Sequence, residues 1–340
     1  MFLHPNPPKA ILVGRLQREY LLPFNQPACL DVLGGNLAYA AAGMALWGGK
    51  AGLVTRVNAD FPIEIWLDPF VKQGFDLEGV SVVNGDIDHR HFVAYSDPIT
   101  AHFENPMTWF AERNLPFPPE LLGYDLGPSL PCSKTEYAAY SFRVNDLPRD
   151  YLEAHSAHIC PIDFISHKLL PSLLKTGMIQ TLSMRASACY MDPVYWSEMH
   201  GLLSDLTVFM LQEKEALKLF QGRSQDLWEI SMVLAGFGPE YVLLNTADGA
   251  VMVYDRIANK RWIVPAYPVK MVDPTGCVHA FDGGFLLNYR KGFNILEGVL
   301  HGQVSSAFCA EGSGSRFVME AMPALRDARL EALRPRIREI

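Results

Sequence analysis

The stretch Val272-Asp273-Pro274-Thr275-Gly276-Cys277-Val278-His279-Ala280-Phe281-Asp282-Gly283-Gly284-Phe285 decides the fold. Met271 and Val272 predict the end of a strand, Asp273 to Gly276 a polar turn, and the apolar run from Ala280 to Leu287 a helix. A helix entered this way starts with bare N–H groups and positive dipole potential, which suits an anion bound at its N-terminus. The same residues also make sense as a tight turn that caps a core helix.

Around this segment, apolar strand candidates near 9–14, 50–55, 157–161, 178–183, 206–210 and 240–246 alternate with helical patterns near 37–47, 63–73, 166–176, 194–203, 213–220 and 224–236. Two further core helices are predicted over 276–291 and 294–311, followed by a charged amphipathic tail helix. Such alternation predicts an α/β fold whose mainly parallel sheet is covered by helices on both faces. Val80 to Val83, Asn84-Gly85 and Ile87 to Tyr95 read as a β-hairpin, and Asp248-Gly249 reads as a second hairpin turn. Between Phe103 and Pro148, seven prolines and several aromatic residues without periodicity predict an irregular insertion that packs as a lid, a cover or an oligomer contact.

The 272–285 segment resembles the second signature of the PfkB/ribokinase family of carbohydrate and nucleoside kinases, D-T-x-G-A-G-D-x-F-x-x-G-F, at Asp273, Thr275, Gly276, Ala280, Phe281, Gly284 and Phe285. Val278 stands in place of the family's second turn glycine, and His279 in place of its closing aspartate, the general base. Gly34-Gly35-Asn36 and the apolar run to Gly48 resemble the first signature, with Tyr39 at the usual sugar-binding asparagine. Gln17 and Glu19 lie where the family has an asparagine and a sugar-binding aspartate, and Asp60 falls in a block resembling G-x-V-G-x-D-x-F-G. Met191-Asp192-Pro193 is similar to the D-x-N/D-P-N region, Gln212 and Glu215 match the N-x-x-E block that arranges magnesium, and Gly249 is what remains of T-x-G-x-x-G.

The resemblance implies a ribokinase-like three-layer α/β/α sandwich with a mainly parallel sheet, formed as a single domain over residues 1–340. It also implies a small β-lid at about 80–102 and places the insertion at about 103–148. The implied activity is ATP- and Mg2+-dependent transfer to a hydroxyl of a sugar or nucleoside-like molecule. The acceptor residues would be Glu19, Gly34, Gly35, Asn36, Tyr39 and Asp60, and the nucleotide residues Glu215, Gly249, Asp273, Thr275 and Gly276. Glu215 would also serve the metal, and His279 would be the base. Imidazole is a competent base with an ordinary pKa of about 6.5; a helix N-terminus favours its neutral form and a bound triphosphate its charged form. The alternative is a catalytically impaired kinase-fold protein that binds nucleotide or sugar as a sensor or interaction protein. Residues read one by one leave other roles open: Glu19 also fits a solvated charge cluster with Arg15 and Arg18, and Glu215 a dipole-friendly helix start.

A formal net charge of -8 on 340 residues argues against a nucleic-acid partner, and 49% hydrophobic residues suffice for a large core. No run of eighteen apolar residues and no basic leader is present, so the expected setting is the cytoplasm, without a membrane partner. Cys29, Cys132, Cys160, Cys189, Cys277 and Cys309 are scattered, which predicts reduced, buried thiols rather than a disulfide frame or a zinc site. His89, His91 and His102 are expected on a solvated or interface face of the lid, through which a homodimer would form.

Overall fold

The computed structural model of the chain describes residues 7–85, 87–125 and 132–340. Its strands are β1 (Ala10–Val13), β2 (Gln17–Leu22), β3 (Cys29–Gly34), β4 (Gly52–Asn58), β5 (Val80–Val83), β6 (Arg90–Tyr95) and β7 (Ala101–His102). They continue as β8 (Ser156–Ile159), β9 (Thr181–Arg185), β10 (Val208–Gln212), β11 (Tyr241–Asn245), β12 (Val251–Asp255), β13 (Lys260–Val264) and β14 (Arg338–Glu339). The main sheet has ten strands in the order β14-β13-β12-β11-β10-β9-β8-β1-β4-β5. It is parallel from β11 through β5 and antiparallel at the β12 to β14 end.

Side-chain alternation along each strand builds two cores, one on each face. Leu12, Leu53, Met210 and Leu243 face one way, against helices Asn36–Ala45, Cys277–Gly292 and Ile295–Ala310. Ile11, Val13, Met184 and Phe209 face the other, against helices Phe164–Leu174 and Leu227–Gly236. The result is a three-layer α/β/α sandwich. Two of its helices touch backbone to backbone, since a Cβ at Gly283 would lie 1.7 Å from the Ala40 carbonyl oxygen and one at Gly43 1.9 Å from that of Ala280. Gly283→Ala is therefore expected to cost about 3 kcal/mol, the upper part of the overpacking range, read as a lower urea midpoint. An unchanged midpoint would mean that the helices can part without loss.

A second sheet of four strands, in the order β3-β2-β6-β7, stands beside the sandwich. Its apolar face carries Tyr20, Leu22, Phe92 and Ala94, covered by Phe110 and Leu121 of the insertion. The rest of the insertion turns back to the sandwich, where Phe142 and Leu147 join the second core. Residues 126–131 of the insertion and Asp86 lie outside the described residues.

Several sequence expectations are corrected here. The hairpin across Asn84-Gly85 does not form: β5 pairs with β4 at the edge of the main sheet, whereas β6 pairs in parallel with β2 in the small sheet. The local turn signal was outweighed by better partners on either side. No strand ends at Met271 and Val272; the chain there is irregular and is hung from the end of helix Ile295–Ala310 by the Val272 and Asp273 amides, which donate to the Ala310 carbonyl at 2.7 and 3.2 Å. Cys132 and Cys189 form a disulfide between the insertion and the connection after β9, so those two cysteines are not free thiols. His89 is buried rather than solvated, its Nδ1 3.1 Å from the Leu16 carbonyl and its Nε2 accepting from the Asn58 amide at 3.2 Å. No described helix is long and apolar enough to cross a membrane.

Candidate active site

The turn before helix Cys277–Gly292 is shaped by two residues. Asp273 is fully buried and accepts the Thr275 amide at 2.9 Å; burial pushes its carboxyl pKa up against that bond. Gly276 follows at φ +78°, a left-handed conformation, and a Cβ on it would collide with the Tyr39 ring at 2.2 Å. Beyond this N-cap, the Cys277 amide donates to Pro274 at 3.3 Å, and those of His279 and Ala280 to Gly276 at 2.9 Å each. The amides of Gly276 and Val278 have no protein acceptor among the described residues. The Val278 N–H thus remains a donor without an acceptor at the start of the helix.

Cys277 and Val278 form one end of a cavity of about 560 Å³, a size suited to a nucleotide-sized ligand. Its other walls come from the start of helix Glu213–Leu219, the turn at Asn245 to Gly249, the segment from Ala266 to Met271, and helix Ile295–Ala310. The turn is anchored from both sides. Gln303 Nε2 donates to the Gly249 carbonyl at 2.9 Å, and Glu213 accepts the Ala247 amide at 2.8 Å. Gly249 has φ +81°, as the hairpin between β11 and β12 requires. Lys214 is exposed and borders the same cavity.

His279 sits in the first turn of the helix with its ring 20% exposed. Nδ1 is buried and faces Asp282 Oδ2 at 3.5 Å, an ion-pair distance at which it forms no hydrogen bond. Asp282 is completely buried and is held by Arg185, whose Nε lies 2.9 and 2.7 Å from the two carboxylate oxygens and whose terminal nitrogen lies 2.6 Å from one of them. His158 Nε2 approaches the same carboxylate at 3.3 Å. Burial alone would raise the Asp282 pKa, but Arg185 and then His158 hold it far below the carboxylate range. Burial likewise lowers the His279 pKa, outweighing the upward pull of Asp282. Arg185 also donates to Asn245 Oδ1 at 3.0 Å and so ties this cluster to the cavity wall.

On the opposite side of the turn, Glu19, Gly34, Gly35 and Tyr39 of the residues expected to hold an acceptor are brought together, with Glu19 bonded to Gly35 and Tyr39. Glu19 is buried; it accepts the Gly35 amide and the Tyr39 hydroxyl, both at 2.8 Å, and its carboxyl group fills the space beside Gly34. Asn36 accepts the Arg15 amide at 2.8 Å and donates to the Pro161 carbonyl at 2.6 Å. Asp60 is exposed. Tyr95, the last residue of β6, closes the group with its hydroxyl 2.9 Å from Thr275 Oγ1. On the nucleotide side, Gly249 lines the cavity, whereas Asp273, Thr275 and Gly276 shape the turn behind it. Glu215 is buried and its Oε2 accepts the Gln212 amide at 2.8 Å, capping its own helix. Arg185, Lys214, Gln303 and Asp282 were not singled out in the sequence. Only Asp282, three residues after His279 on the same helix face, carried a readable signal.

Fold comparison agrees with the α/β/α architecture. An E. coli ribokinase-like protein in complex with ATP and Mg2+ matches at a TM-score of 0.69 with 19% identity over 96% of this chain and 99% of its own. The chain has the ribokinase fold and is similar to kinases of the PfkB/ribokinase family. A fructokinase from Xylella fastidiosa with bound ATP matches this ribokinase-fold chain at a TM-score of 0.69 with 18% identity, covering 95% of this chain and 98% of that one. A cytidine kinase from Thermococcus kodakarensis is 25% identical over 289 residues, which is 83% of this chain and 88% of that enzyme. No family model matches the chain.

Proposed function

We propose that the protein is an ATP-dependent phosphotransferase acting on a hydroxyl of a sugar or nucleoside-like acceptor, with His279 as the base. The observation that carries this reading is the open Val278 amide at the end of a nucleotide-sized cavity, with the open Gly276 amide in the turn behind it and the half-buried imidazole of His279 next in the chain. Phosphoryl transfer depends mainly on positioning and on stabilising charge, and two free amides at a helix N-terminus provide both. The cytidine kinase relative and the ATP-bound neighbours support the same class.

The apolar walls near Val269 and Ala307 would take the base of ATP, and Lys214 and the two amides its phosphates. Mg2+ would arrive with the phosphates and keep most of its waters; Glu215, with one oxygen committed to its helix cap, would reach it only through water. His279 would take the acceptor proton at Nε2, and Asp282 would steady the ring from the Nδ1 side. The four-stranded sheet would serve as the lid, with Tyr95 touching Thr275. A homodimer would form through the exposed face of this lid, where Phe103 stacks on His91.

The bonds that Glu19 makes to Gly35 and Tyr39 favour a second reading, a protein that binds nucleotide but lacks an efficient hydroxyl site. Thermal melting with ATP and Mg2+, followed by a transfer screen over sugars and nucleosides, separates the two. ATP at a hundred times its Kd is expected to add about 2.7 kcal/mol of stability. Binding with transfer to a hydroxyl supports the kinase, and binding with no transfer to any of them supports the second reading. No binding at millimolar ATP would sink both.

A further inference from the structure

We propose that the acceptor carries an anionic group, a phosphate or a carboxylate, and that Arg15 is the residue that receives it. The inference rests on the transfer reading above and names the class of its acceptor. Its first support is position. The order of the main sheet reverses at β1, with β4 and β5 on one side and β8 to β14 on the other. A sheet wound this way binds ligands at the reversal, in the crevice outside the carboxyl ends of the strands. Arg15 stands there, two residues past the end of β1. It is also built into the expected acceptor side. Its amide donates to Asn36 Oδ1 at 2.8 Å, Asn36 Nδ2 reaches the Pro161 carbonyl just beyond β8 at 2.6 Å, and a Cβ on Gly35 would lie 2.5 Å from the Arg15 carbonyl oxygen.

The second support is a missing partner. The Arg15 guanidinium is partly buried and packs on the Tyr140 ring, 4.0 Å from its centroid, yet among the described residues it makes no hydrogen bond and no ion pair. Burial lowers its pKa, against the upward pull of Tyr140, Asp163 and Asp88. Those two carboxylates are committed elsewhere. Asp163 accepts the Ser166 amide at 2.8 Å and the Ser166 hydroxyl at 3.0 Å, and Asp88 accepts Arg90 at 2.9 and 2.7 Å. Arg56, near the end of β4, already has Asp146 at 3.1 Å. A guanidinium drawn out of water without a counter-charge is costly, and it is the side chain that grips phosphate and carboxylate through two parallel hydrogen bonds. A neutral sugar leaves this charge uncompensated, whereas an anionic one completes the site. The anionic group is a handle for binding; the proton still leaves a hydroxyl for His279.

Three sets of acceptors, offered to the full chain with ATP and Mg2+, test this: neutral sugars and nucleosides, sugar monophosphates, and sugar acids. The best anionic acceptor is expected to exceed its neutral parent at least about ten-fold in kcat/KM, and the two charged sets tell phosphate from carboxylate. Arg15→Met keeps a stem against Tyr140 and removes the charge. It is expected to shrink that preference about 10- to 100-fold, through KM rather than kcat, with ATP binding retained in a thermal melt. Arg15→Lys should recover part of it. Equal use of neutral and anionic acceptors, or an unchanged KM in Arg15→Met, would overturn the anionic class and leave the kinase standing. ATP binding with no transfer to any acceptor would overturn the kinase instead. The Arg15 site is then read by thermal melting with the sugar monophosphates and sugar acids: a stabilisation that Arg15→Met loses sustains it, and no stabilisation overturns it.

Discussion

Arg185→Met is expected to lower the unfolding free energy by about 4 kcal/mol, because it strands a carboxylate that has no water around it. Asp282 is completely buried, and Arg185 makes its short contacts, whereas His158 and His279 approach it only at 3.3 and 3.5 Å. The pH dependence gives the signature. In the unaltered protein the Asp282 pKa lies far below the ordinary carboxylate value, so its contribution is complete above about pH 4 and is lost as the pH falls below that. In the variant, burial is opposed by less charge and the folded pKa rises, so the penalty grows as the carboxyl is forced to ionise. The gap between the two proteins should therefore be smaller at pH 4.5 than at pH 7.5 in urea titrations. Arg185→Met with Asp282→Leu should recover most of the loss, since both charges are then gone. A variant within about 1 kcal/mol of the parent at pH 7.5 would show that the carboxylate is solvated or neutral already.

A buried ion pair of this kind is weak evidence for stability as such, since apolar residues of similar volume often do as well. Its position under His279 and beside Asn245 of the cavity wall is better explained by the site it serves.

The parallel strands were legible in sequence because each is a short apolar run followed by an amphipathic helix, as in Val208 to Leu211 before helix Glu213–Leu219. The turn before helix Cys277–Gly292 was legible for the same reason: Gly276 and the apolar residues after it are local features. What stayed hidden was set by distant contacts. Arg15 to Glu19 looked like a charged turn, yet Gln17 to Leu22 is a strand whose Glu19 is buried because Tyr39 and Gly35 wait for it across the sheet. Asp282 looked like one polar residue in a helix; its partners His158 and Arg185 arrive on β8 and β9. The Cys132–Cys189 link joins positions 57 residues apart, one of them in a segment with no periodicity to place it.

His279→Ala is expected to reduce γ-phosphoryl transfer by about 10² to 10⁴-fold with ATP binding retained, because the proposed general base is removed. Activity requires the neutral ring, and burial sets its pKa below the ordinary imidazole value, so the acid limb of the pH profile should lie below about 6.5. His279→Asp is the sharper comparison, because it puts back the carboxylate that the resembling motif carries. Here it would stand within a turn of Asp282, which Arg185 keeps ionised. Two carboxylates so close cannot both ionise readily, and the new, more exposed one would be the one protonated and unable to act as a base. His279→Asp should therefore be about as inactive as His279→Ala near neutral pH, recovering in part only at higher pH. Strong transfer by His279→Asp with none by the unaltered protein would reverse the assignment: the cleft would then be a dormant carboxylate-base site, and the imidazole would be what silences it.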